Sequence, residues 1–387
     1  MDLKTIDQTY VANTYGRFPL QLIRGKGSLV EDENGKTYID FCSGIAVNTF
    51  GLADDLWQQA ISEQAAKLQH VSNLYYTEPC AVLAKMLCER TGMKKVFFCN
   101  SGAEANECAI KTARKYAAEH KGSEYYTILT LKNSFHGRTL ATVAATGQEP
   151  MHRDFLPLTP GFAYVEANHT EALRRAVEEY KPAGILFECV QGEGGVNVLE
   201  PAFVQEMARL AKEQDFLLLA DEVQLGNGRS GALYGYMNYG IQPDLVSTAK
   251  GLGGGLPIGA VLFGEKTEWT MKAGDHGSTF GGNPVCCAGA ISILERLTPE
   301  FLEEVQRKSA MIRERLQGQK GIRSVSGMGL LLGMETEKPA ADVIAKCMEQ
   351  GVLLLGAHGK VRMLPALNIP DEWIEKALQV ILRVCAE

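Results

Sequence analysis

The sequence lacks the features of several large classes of protein. No apolar run approaches the roughly 20 residues that a membrane-spanning helix needs. The first residues, "MDLKTIDQTY", lack the basic and apolar regions of a signal peptide. The net charge of −7 at pH 7 provides no basic surplus for nucleic acid or an anionic membrane. We therefore expect neither a membrane nor a nucleic-acid partner.

Metal and nucleotide motifs are also missing. The ten cysteines include the vicinal pair Cys286 and Cys287 but form no CxxC motif, so neither a zinc ribbon nor a thioredoxin-type pair is predicted. We interpret them as reduced thiols in a cytoplasmic protein without a metal site. The P-loop pattern is absent, and "GNGRSG" at residues 226–231 is not followed by the helix and acidic residue of a dinucleotide site. We predict a tight loop there.

What is present is a regular alternation of apolar runs and amphipathic segments. Runs such as "KVFFC" and "FLLLA" contain no alternating polar residues, which suits strands buried on both faces. Their alternation with helical patterns predicts an α/β fold with a mostly parallel sheet. After "TFGGNP" the pattern changes to a long helical stretch over about 285–317 and then to α+β segments. We predict a large domain over 46–285, a small C-terminal domain over 286–387, and an N-terminal segment, 1–45, that packs with the small domain.

Five apolar runs end in polar or glycine-rich clusters, namely "NSG", "NSFHGR", "QGEGG", "DEVQ" and "STAKG". Ligands of parallel sheets bind where the carboxyl ends of the strands meet the following loops. The clusters therefore predict one shared pocket.

Two residues at these strand ends suggest a carbonyl cofactor. Lys250 follows a buried run and precedes "GLGGG". It could be a solvated strand-end lysine, but the glycines would let another backbone or a flat ligand approach closely. A desolvated lysine has a lowered pKa and can form a Schiff base. Asp221 ends "FLLLAD" and could bind local backbone, or it could pair with a protonated pyridine nitrogen.

The stretch "NSGAEANE" places Ser101, Gly102 and Ala103 where a strand turns into a helix. Free N–H groups and the helix dipole can bind a phosphate there, although an ordinary N-cap at Ser101 would leave the same pattern.

Taken together, "NSGAEANE", "SFHGRT", "QGEGG", "ADEVQ", "STAKGLGGGLPIGA" and "HGSTFGGNP" resemble the class III aminotransferases, pyridoxal-phosphate (PLP) enzymes of fold type I. The resemblance runs from about Tyr15 to "VRMLPAL", and "YGRFPL", "SGIAVN" and "VSNLYY" are similar to the N-acetylornithine and succinylornithine aminotransferases. It implies a PLP cofactor, a large domain with a mostly parallel sheet, and a smaller α+β domain. It also implies ping-pong transfer of the δ-amino group of an acylated ornithine to 2-oxoglutarate, which gives glutamate.

The resemblance also implies a role for each site residue. Lys250 bonds the cofactor as an imine and then moves the substrate proton, and Asp221 pairs with the ring nitrogen. Thr279 reaches the phosphate from the other subunit, which implies a homodimer whose sites are shared across the interface. The remaining cofactor contacts implied by the resemblance are Ser101, Gly102 and Ala103 at the phosphate, Phe135 and Val223 on the two ring faces, Gln224 at the ring hydroxyl, and Glu222.

The implied substrate contacts include two arginines, because planar guanidinium groups bind carboxylates in a bidentate way. Arg138 resembles the clamp for the distal carboxylate, and Arg362 the clamp for the α-carboxylate of glutamate. Glu193 resembles the residue that covers Arg362 when no carboxylate is bound there. Ser278 and Tyr15 resemble residues beside the substrate.

Departures from the family pattern leave alternatives open. Leu225 stands where most relatives have threonine or serine, which bears on substrate identity, and Cys189 replaces a usual proline. Another ω-aminotransferase, acting on ornithine, 4-aminobutyrate or carrier-bound lysine, would carry the same motifs. An aminomutase or racemase would not need both carboxylate clamps. A PLP-binding protein without catalysis would tolerate loss of Lys250 or the arginines.

Overall fold

A computed structural model describes residues 2–387 of the chain. In chain order, its strands are β1 (Leu22–Lys26), β2 (Leu29–Asp32), β3 (Thr37–Asp40), β4 (Lys95–Cys99), β5 (Ile128–Leu131), β6 (Phe162–Val165), β7 (Gly184–Phe187), β8 (Val190–Gln191), β9 (Asn197–Val198), β10 (Leu217–Asp221), β11 (Leu245–Thr248), β12 (Gly259–Phe263), β13 (Ile322–Met328), β14 (Leu331–Thr336), β15 (Val352–Leu353), β16 (Leu355–Ala357) and β17 (Lys360–Met363).

The helices enclose these strands. In chain order they are α1 (Leu3–Tyr10), α2 (Ser43–Ala46), α3 (Asp55–Lys67), α4 (Glu78–Thr91), α5 (Gly102–His120), α6 (Leu140–Ala145), α7 (Thr170–Tyr180), α8 (Pro201–Gln214), α9 (Pro284–Arg296), α10 (Pro299–Leu316), α11 (Ala340–Glu349) and α12 (Asp371–Ala386). Short 3-10 helices lie at Glu149–Met151, Gly235–Tyr239 and Lys250–Leu252. Among residues 2–387, no helix is both long and apolar enough to cross a membrane.

A seven-stranded sheet in the order β4-β12-β11-β10-β7-β5-β6 forms the centre of the molecule. Its strands run parallel from β11 to β6, whereas β12 is antiparallel to both of its neighbours, β11 and β4. Strand β4 therefore has the same direction as the parallel strands. The predicted α/β fold with a mostly parallel sheet is confirmed.

The central strand β10 explains why its sequence is apolar without alternation. All five of its residues are buried. Leu217 and Leu219 pack in a core with residues of α5, and Leu218 and Ala220 pack in the core that contains residues of α8. Because successive side chains of a strand point to opposite faces, a strand with helices on both sides needs apolar residues throughout.

The C-terminal part is built on a second sheet, in the order β13-β14-β17-β16, with antiparallel pairing throughout. The long helical stretch predicted over about 285–317 consists of two helices in the structure, α9 and α10. Thr298 accepts a hydrogen bond from the N–H of Phe301 and caps α10, and Pro299 occupies its first turn. Proline has no N–H for a continuous helix but fits the first helical position.

The N-terminal strands share a sheet with the C-terminal part. Its order is β1-β2-β3-β15, and β15 pairs in parallel with β3. This pairing agrees with an N-terminal segment that packs with the small domain. The three-part division at residues 45 and 285 stays a prediction.

Candidate active site

The carboxyl ends of five strands surround one cavity of about 600 Å³. Strands β4, β5, β7, β10 and β11 have the same direction, so the loops that follow them meet at one edge of the sheet. Four of the five predicted strand-end clusters line this pocket, whereas "QGEGG" lies beside it, where Glu193 accepts a hydrogen bond from Gln224. The predicted site residues that line it are Tyr15, Ser101, Gly102, Ala103, Phe135, Arg138, Asp221, Val223, Gln224 and Lys250.

Three donors hold Asp221, a buried residue at the end of β10. Its Oδ2 accepts a hydrogen bond from Asn106 Nδ2 at 2.7 Å and lies 2.8 Å from His136 Nδ1. Its Oδ1 accepts from the backbone N–H of Val223 at 3.0 Å. Asn106 is itself fixed, because its Oδ1 accepts from Ser247 Oγ at 2.6 Å. The carboxylate is therefore held in one orientation at the base of the cavity.

Lys250 follows β11 and is half-buried. Burial lowers the pKa of its ammonium group, an effect that the nearby carboxylates of Glu193 and Asp221 oppose. Its backbone has φ 45°, a left-handed conformation that is uncommon outside glycine. Such conformations cost free energy and concentrate at functional sites.

The glycines after Lys250 mainly make room for protein atoms. A Cβ on Gly251 would lie 2.9 Å from Thr49 Oγ1, and one on Gly253 would lie 2.1 Å from the carbonyl oxygen of Leu256. Thr49 Oγ1 also donates a hydrogen bond to the carbonyl of Gly251 at 2.7 Å. Gly255 does line the cavity. Of the two possibilities that the sequence offered, close approach of the chain to itself accounts for most of "GLGGG".

The N-terminus of α5 faces the cavity. Ser101 caps the helix, its Oγ accepting from the N–H of Glu104 at 3.2 Å. The N–H groups of Gly102 and Ala103 lie in the first turn, where no carbonyl of the same helix can accept from them. A Cβ on Gly102 would lie 2.6 Å from Val223 Cγ1, so a glycine is needed for this close approach. Such an arrangement of free N–H groups can bind an anion beside the Val223 side chain.

Arg362, Glu193 and Gln224 form a hydrogen-bonded trio next to the cavity. Arg362 Nη1 donates to Glu193 Oε1 at 2.7 Å and to Gln224 Oε1 at 3.0 Å, and Arg362 Nη2 donates to Glu193 Oε2 at 3.2 Å. Gln224 Nε2 closes the ring by donating to Glu193 Oε1 at 3.2 Å. Despite partial burial, which raises its pKa, Glu193 has a lowered pKa because of the Arg362 guanidinium. Both carboxylate oxygens of Glu193 therefore lie on the Arg362 guanidinium.

Known proteins with similar sequences establish the family to which this chain belongs. The model of the family Aminotransferase class-III matches residues 10–385. The chain belongs to the class III aminotransferases. It is 49% identical over 387 residues to an acetylornithine aminotransferase of Haemophilus ducreyi, covering 100% of this chain and 98% of the relative. An acetylornithine aminotransferase of Caldanaerobacter subterraneus is 44% identical over 390 residues, with 99% of each chain covered.

Solved structures of this family have the same fold. The ornithine aminotransferase of Toxoplasma gondii superposes with a TM-score of 0.94 at 31% identity, covering 99% of this chain and 94% of its own. A second structure of that enzyme, with a TM-score of 0.94 at 32% identity, has partially occupied PLP at its active site. The N-acetylornithine aminotransferase of Stenotrophomonas maltophilia superposes with a TM-score of 0.85 at 34% identity, covering 99% of this chain and 98% of its own. This class III aminotransferase is a PLP-dependent transaminase, as its sequence predicts.

The cavity suits each part of PLP. The N–H groups at the start of α5 suit the phosphate, and the side chains of Phe135 and Val223 line the space for a flat ring. A carboxylate offers about four acceptor positions, and Asp221 uses three of them, so one remains for a ring N–H. Lys250 supplies an amine for the aldehyde. The residues present therefore fit the cofactor.

Some predicted residues lie outside this cavity. Glu222 turns away from it, because its fully buried carboxylate accepts hydrogen bonds from the N–H groups of Gly235 and Tyr236, both at 2.8 Å. These bonds correct the expectation of a cofactor contact and indicate a structural role. Ser278 and Thr279 line no part of the cavity, and Thr279 is exposed. Arg138 does line the cavity but is exposed, with its guanidinium 5.5 Å from the ring centre of Phe135.

Several residues that line the cavity were not predicted from the sequence, and three of them hold other site residues by hydrogen bonds, namely Asn106, His136 and Glu188. Glu188 Oε2 accepts from the N–H of Phe135 at 2.9 Å, and burial raises the pKa of this carboxyl group well above its usual range. Asn106 and His136 lie within the quoted motifs "NSGAEANE" and "SFHGRT". Asn106 lies about one helical turn after Ala103, and His136 directly follows Phe135. This closeness to predicted contacts could have indicated that both residues belong to the site.

Leu225 does not border the substrate space. Its side chain is buried in the main core, against Gly235, whose added Cβ would lie 2.3 Å from Leu225 Cδ2. Cys189 is buried in the same core. Neither of these two departures from the family pattern therefore lies in the wall of the cavity.

Proposed function

We propose that the protein is an N2-acetyl-L-ornithine aminotransferase. It would transfer the δ-amino group to 2-oxoglutarate by a ping-pong reaction, giving N-acetylglutamate 5-semialdehyde and glutamate, a step of arginine biosynthesis. The observation that carries this proposal is the Arg362–Glu193 pair, with N–O distances of 2.7 and 3.2 Å, in a chain 41–49% identical to several acetylornithine aminotransferases. Glutamate presents a carboxylate at this position and acetylornithine does not. An arginine that Glu193 can cover suits an enzyme that must bind both.

The cofactor, when bound, supplies an aldehyde that accepts an amino group and a ring that accepts the electron pair left by a departing proton. We assign proton transfer at the carbon that bears the amine to Lys250 Nζ, because its lowered pKa leaves a fraction of the amine neutral. We assign to Asp221 the task of keeping the ring nitrogen protonated. Its three hydrogen bonds hold the carboxylate in place for that contact.

The two arginines would bind the carboxylates. Arg362 would hold the α-carboxylate of glutamate after Glu193 moves aside, and Glu193 would return when the acylated ornithine presents its uncharged chain. Arg138, which lines the cavity and is exposed, would hold the distal carboxylate of either substrate. Tyr15, also exposed at the cavity, would contact the acylated end of the donor.

We propose a homodimer in the cytoplasm. Leu74, Tyr76 and Phe280 are exposed apolar residues with relative accessibilities of 82%, 106% and 60%. Tyr76 and Ser278 line a second cavity of about 510 Å³ that a second copy of the chain could fill. That copy would bring Thr279 of the partner subunit to the phosphate. All ten cysteines are free thiols, which suits a reducing compartment.

A panel of amino donors tests this function. The values of kcat/KM with 2-oxoglutarate should be compared for acetylornithine, succinylornithine, ornithine and 4-aminobutyrate. We expect acetylornithine to exceed ornithine by at least about tenfold, which corresponds to about 1.4 kcal/mol of transition-state binding. Preference for ornithine or 4-aminobutyrate would replace the proposal with that ω-aminotransferase. Failure to consume 2-oxoglutarate would favour an aminomutase or racemase.

A further inference from the structure

Asn106 connects three segments of the active site through one buried side chain. It lies on α5, borders the cavity and is only 1% exposed. Its Nδ2 donates to Asp221 Oδ2 at 2.7 Å and to the carbonyl oxygen of His136 at 2.8 Å, and its Oδ1 accepts from Ser247 Oγ at 2.6 Å. The three partners belong to β10, to the loop after β5 and to β11. A single amide thus holds three separate parts of the chain together.

The partners leave this amide only one orientation. An ionised carboxylate and a backbone carbonyl can only accept, so both hydrogens on Nδ2 are used by Asp221 and His136. Oδ1 then needs a donor, which the Ser247 hydroxyl supplies. Ser247 is also the register neighbour of Asp221 across β10 and β11. A buried network whose members are all paired has one preferred geometry, because turning any group would leave a donor or acceptor unpaired.

These three contacts lie around the groups assigned to the chemistry. His136 directly follows Phe135, and Ser247 precedes Lys250 by three residues. Asp221 itself carries the carboxylate assigned to the ring nitrogen. Reacting groups need a shell of hydrogen bonds that locks their positions, and this amide supplies such a bond to three segments at once.

We propose that Asn106 is a positioning residue that holds the Asp221 carboxylate in register with the Lys250 amine and the Phe135 loop. It acts through these groups and not by binding substrate. Both half-reactions use the same acid and the same amine, so loss of Asn106 should slow both by the same factor. The inference rests on the proposed role of Asp221 at the ring nitrogen, and it is independent of which amino donor the enzyme prefers.

A cofactor analogue can test the link between Asn106 and Asp221. In the analogue of PLP whose ring nitrogen is replaced by C–H, the ring has no group that can pair with the Asp221 carboxylate. Dissociation constants of PLP and of this analogue should be measured with the cofactor-free native protein, Asn106→Ala and Asn106→Leu, the last of which keeps the bulk of the side chain. We expect the native protein to bind PLP at least about tenfold more tightly than the analogue, the size expected for one charge-assisted hydrogen bond. This preference should fall below about threefold in both variants, because the carboxylate is no longer held toward the ring.

Kinetics of the holoenzyme give a second measurement. In both Asn106 variants, single-turnover rates with glutamate and with the preferred amino donor should each fall at least about tenfold, while KM values stay within about threefold of native. Ser247→Ala removes only the hydroxyl that orients the amide, and it should reduce the preference for PLP by at least about twofold. Thr112→Val is the matched control, because Thr112 is fully buried further along α5 and its hydroxyl bonds only within that helix, to the carbonyl of Cys108. It should keep the native preference and the native rates.

Several results would overturn the inference. A native preference for PLP in both Asn106 variants would mean that the amide does not act through the ring nitrogen, and if neither variant folds, a native preference in Ser247→Ala would mean the same. Losses confined to one half-reaction, or found mainly in KM, would make Asn106 a substrate contact. Equal losses in Thr112→Val would indicate a general effect of packing in α5. A native protein without preference for PLP would refute the role of Asp221 itself, whereas an unexpected donor in the substrate panel would change the proposed function and leave this test intact.

Discussion

At the scale of single residues, the site holds two buried charged groups, Asp221 and Arg362, by hydrogen bonds. Asp221 is bound by an amide, an imidazole and a backbone N–H, none of which has to carry a positive charge. Arg362, only 2% exposed, is paired with a carboxylate that must be able to leave. Both arrangements keep a buried charge available for a ligand.

The role of Lys250 predicts the behaviour of Lys250→Ala. We expect turnover to fall at least about a thousandfold, because general acid–base and covalent catalysis are lost together. The absorbance band of the imine between Lys250 and the cofactor should also disappear, while the variant remains folded and still binds the cofactor. Steady-state rates and absorbance spectra would measure these changes, with Lys212→Ala on the exposed side of α8 as the control. Near-native turnover in Lys250→Ala would exclude this lysine from the mechanism.

The two arginines should differ in which half-reaction they affect. Arg362→Ala should slow the glutamate half-reaction about 100-fold, since charge-assisted hydrogen bonds to the α-carboxylate are lost, and should affect the acetylornithine half-reaction far less. Arg138→Ala should slow both, because each substrate has a distal carboxylate. Single-turnover rates with each amino donor would separate the two effects. Equal losses in both half-reactions for Arg362→Ala would contradict its assignment.

Glu222 predicts a dependence of stability on pH. Burial raises the pKa of its carboxyl group from 4.5 to about 7, an effect reinforced by the charge of Asp221 and opposed by the N–H groups of Gly235 and Tyr236. Below the unfolded-state pKa the group is protonated in both states. As the pH rises to about 7, the unfolded state releases the proton first, so the folded state loses stability.

This sign can be tested with Glu222→Gln, which has no proton to lose. The free energy of unfolding of the native protein, minus that of the variant, should decrease by up to about 3 kcal/mol between pH 4.5 and 8. Denaturant unfolding at several pH values, with the cofactor removed, would measure this difference. A difference that stays constant with pH would show that Glu222 keeps an ordinary pKa.

At the scale of elements, the junction of β4 and α5 determines how closely the proposed phosphate site lies to Val223 across the cavity. Gly102→Ala should displace Val223, because the added Cβ would lie 2.6 Å from Cγ1. We expect the cofactor to dissociate at least about tenfold more readily, a change of about 1.4 kcal/mol. Gly356→Ala, at an exposed position where the nearest atom would be 3.7 Å away, is the matched control. Equal cofactor affinity in the two variants would contradict this account.

The elements also show what the sequence could and could not predict. Buried strands such as β10 and the order of motifs along the chain were predictable, because they depend on local composition. Thr298 and Pro299 mark the start of α10, so the division of α9 from α10 could have been predicted. The helical pattern continues on both sides of these residues, and by itself it indicates one long stretch. The antiparallel direction of β12 and the contacts of Glu188 with the loop after β5 depend on tertiary packing, which no local pattern encodes. Glu222 was assigned by motif alone, and only its packing revealed its backbone partners.

At the scale of the whole molecule, the proposed dimer makes a prediction about mixed subunits. If Thr279 serves the partner's site, a dimer of one Lys250→Ala chain and one Thr279→Ala chain contains one site with both native residues. We expect mixed dimers to regain tight cofactor binding and about half of the native activity per dimer, since one of two sites is complete.

Unfolding and refolding the two variants together, followed by assay at limiting cofactor, would measure this recovery. Each variant refolded alone is the control. Activity no higher than that of Thr279→Ala alone would place this threonine in the site of its own chain or outside any site.

Arg229 has a consequence for the movements open to the enzyme. This fully buried guanidinium donates through Nη1 to the carbonyls of Leu330 and Pro365, both at 2.9 Å. It comes from the loop after Asp221, and Pro365 lies three residues beyond Arg362. The loop that follows Asp221 and the segment that follows Arg362 are therefore tied together. Rigid-body closure at this seam would require breaking two hydrogen bonds to a buried cation, so we expect adaptation to amino donors of unequal length to come from individual side chains.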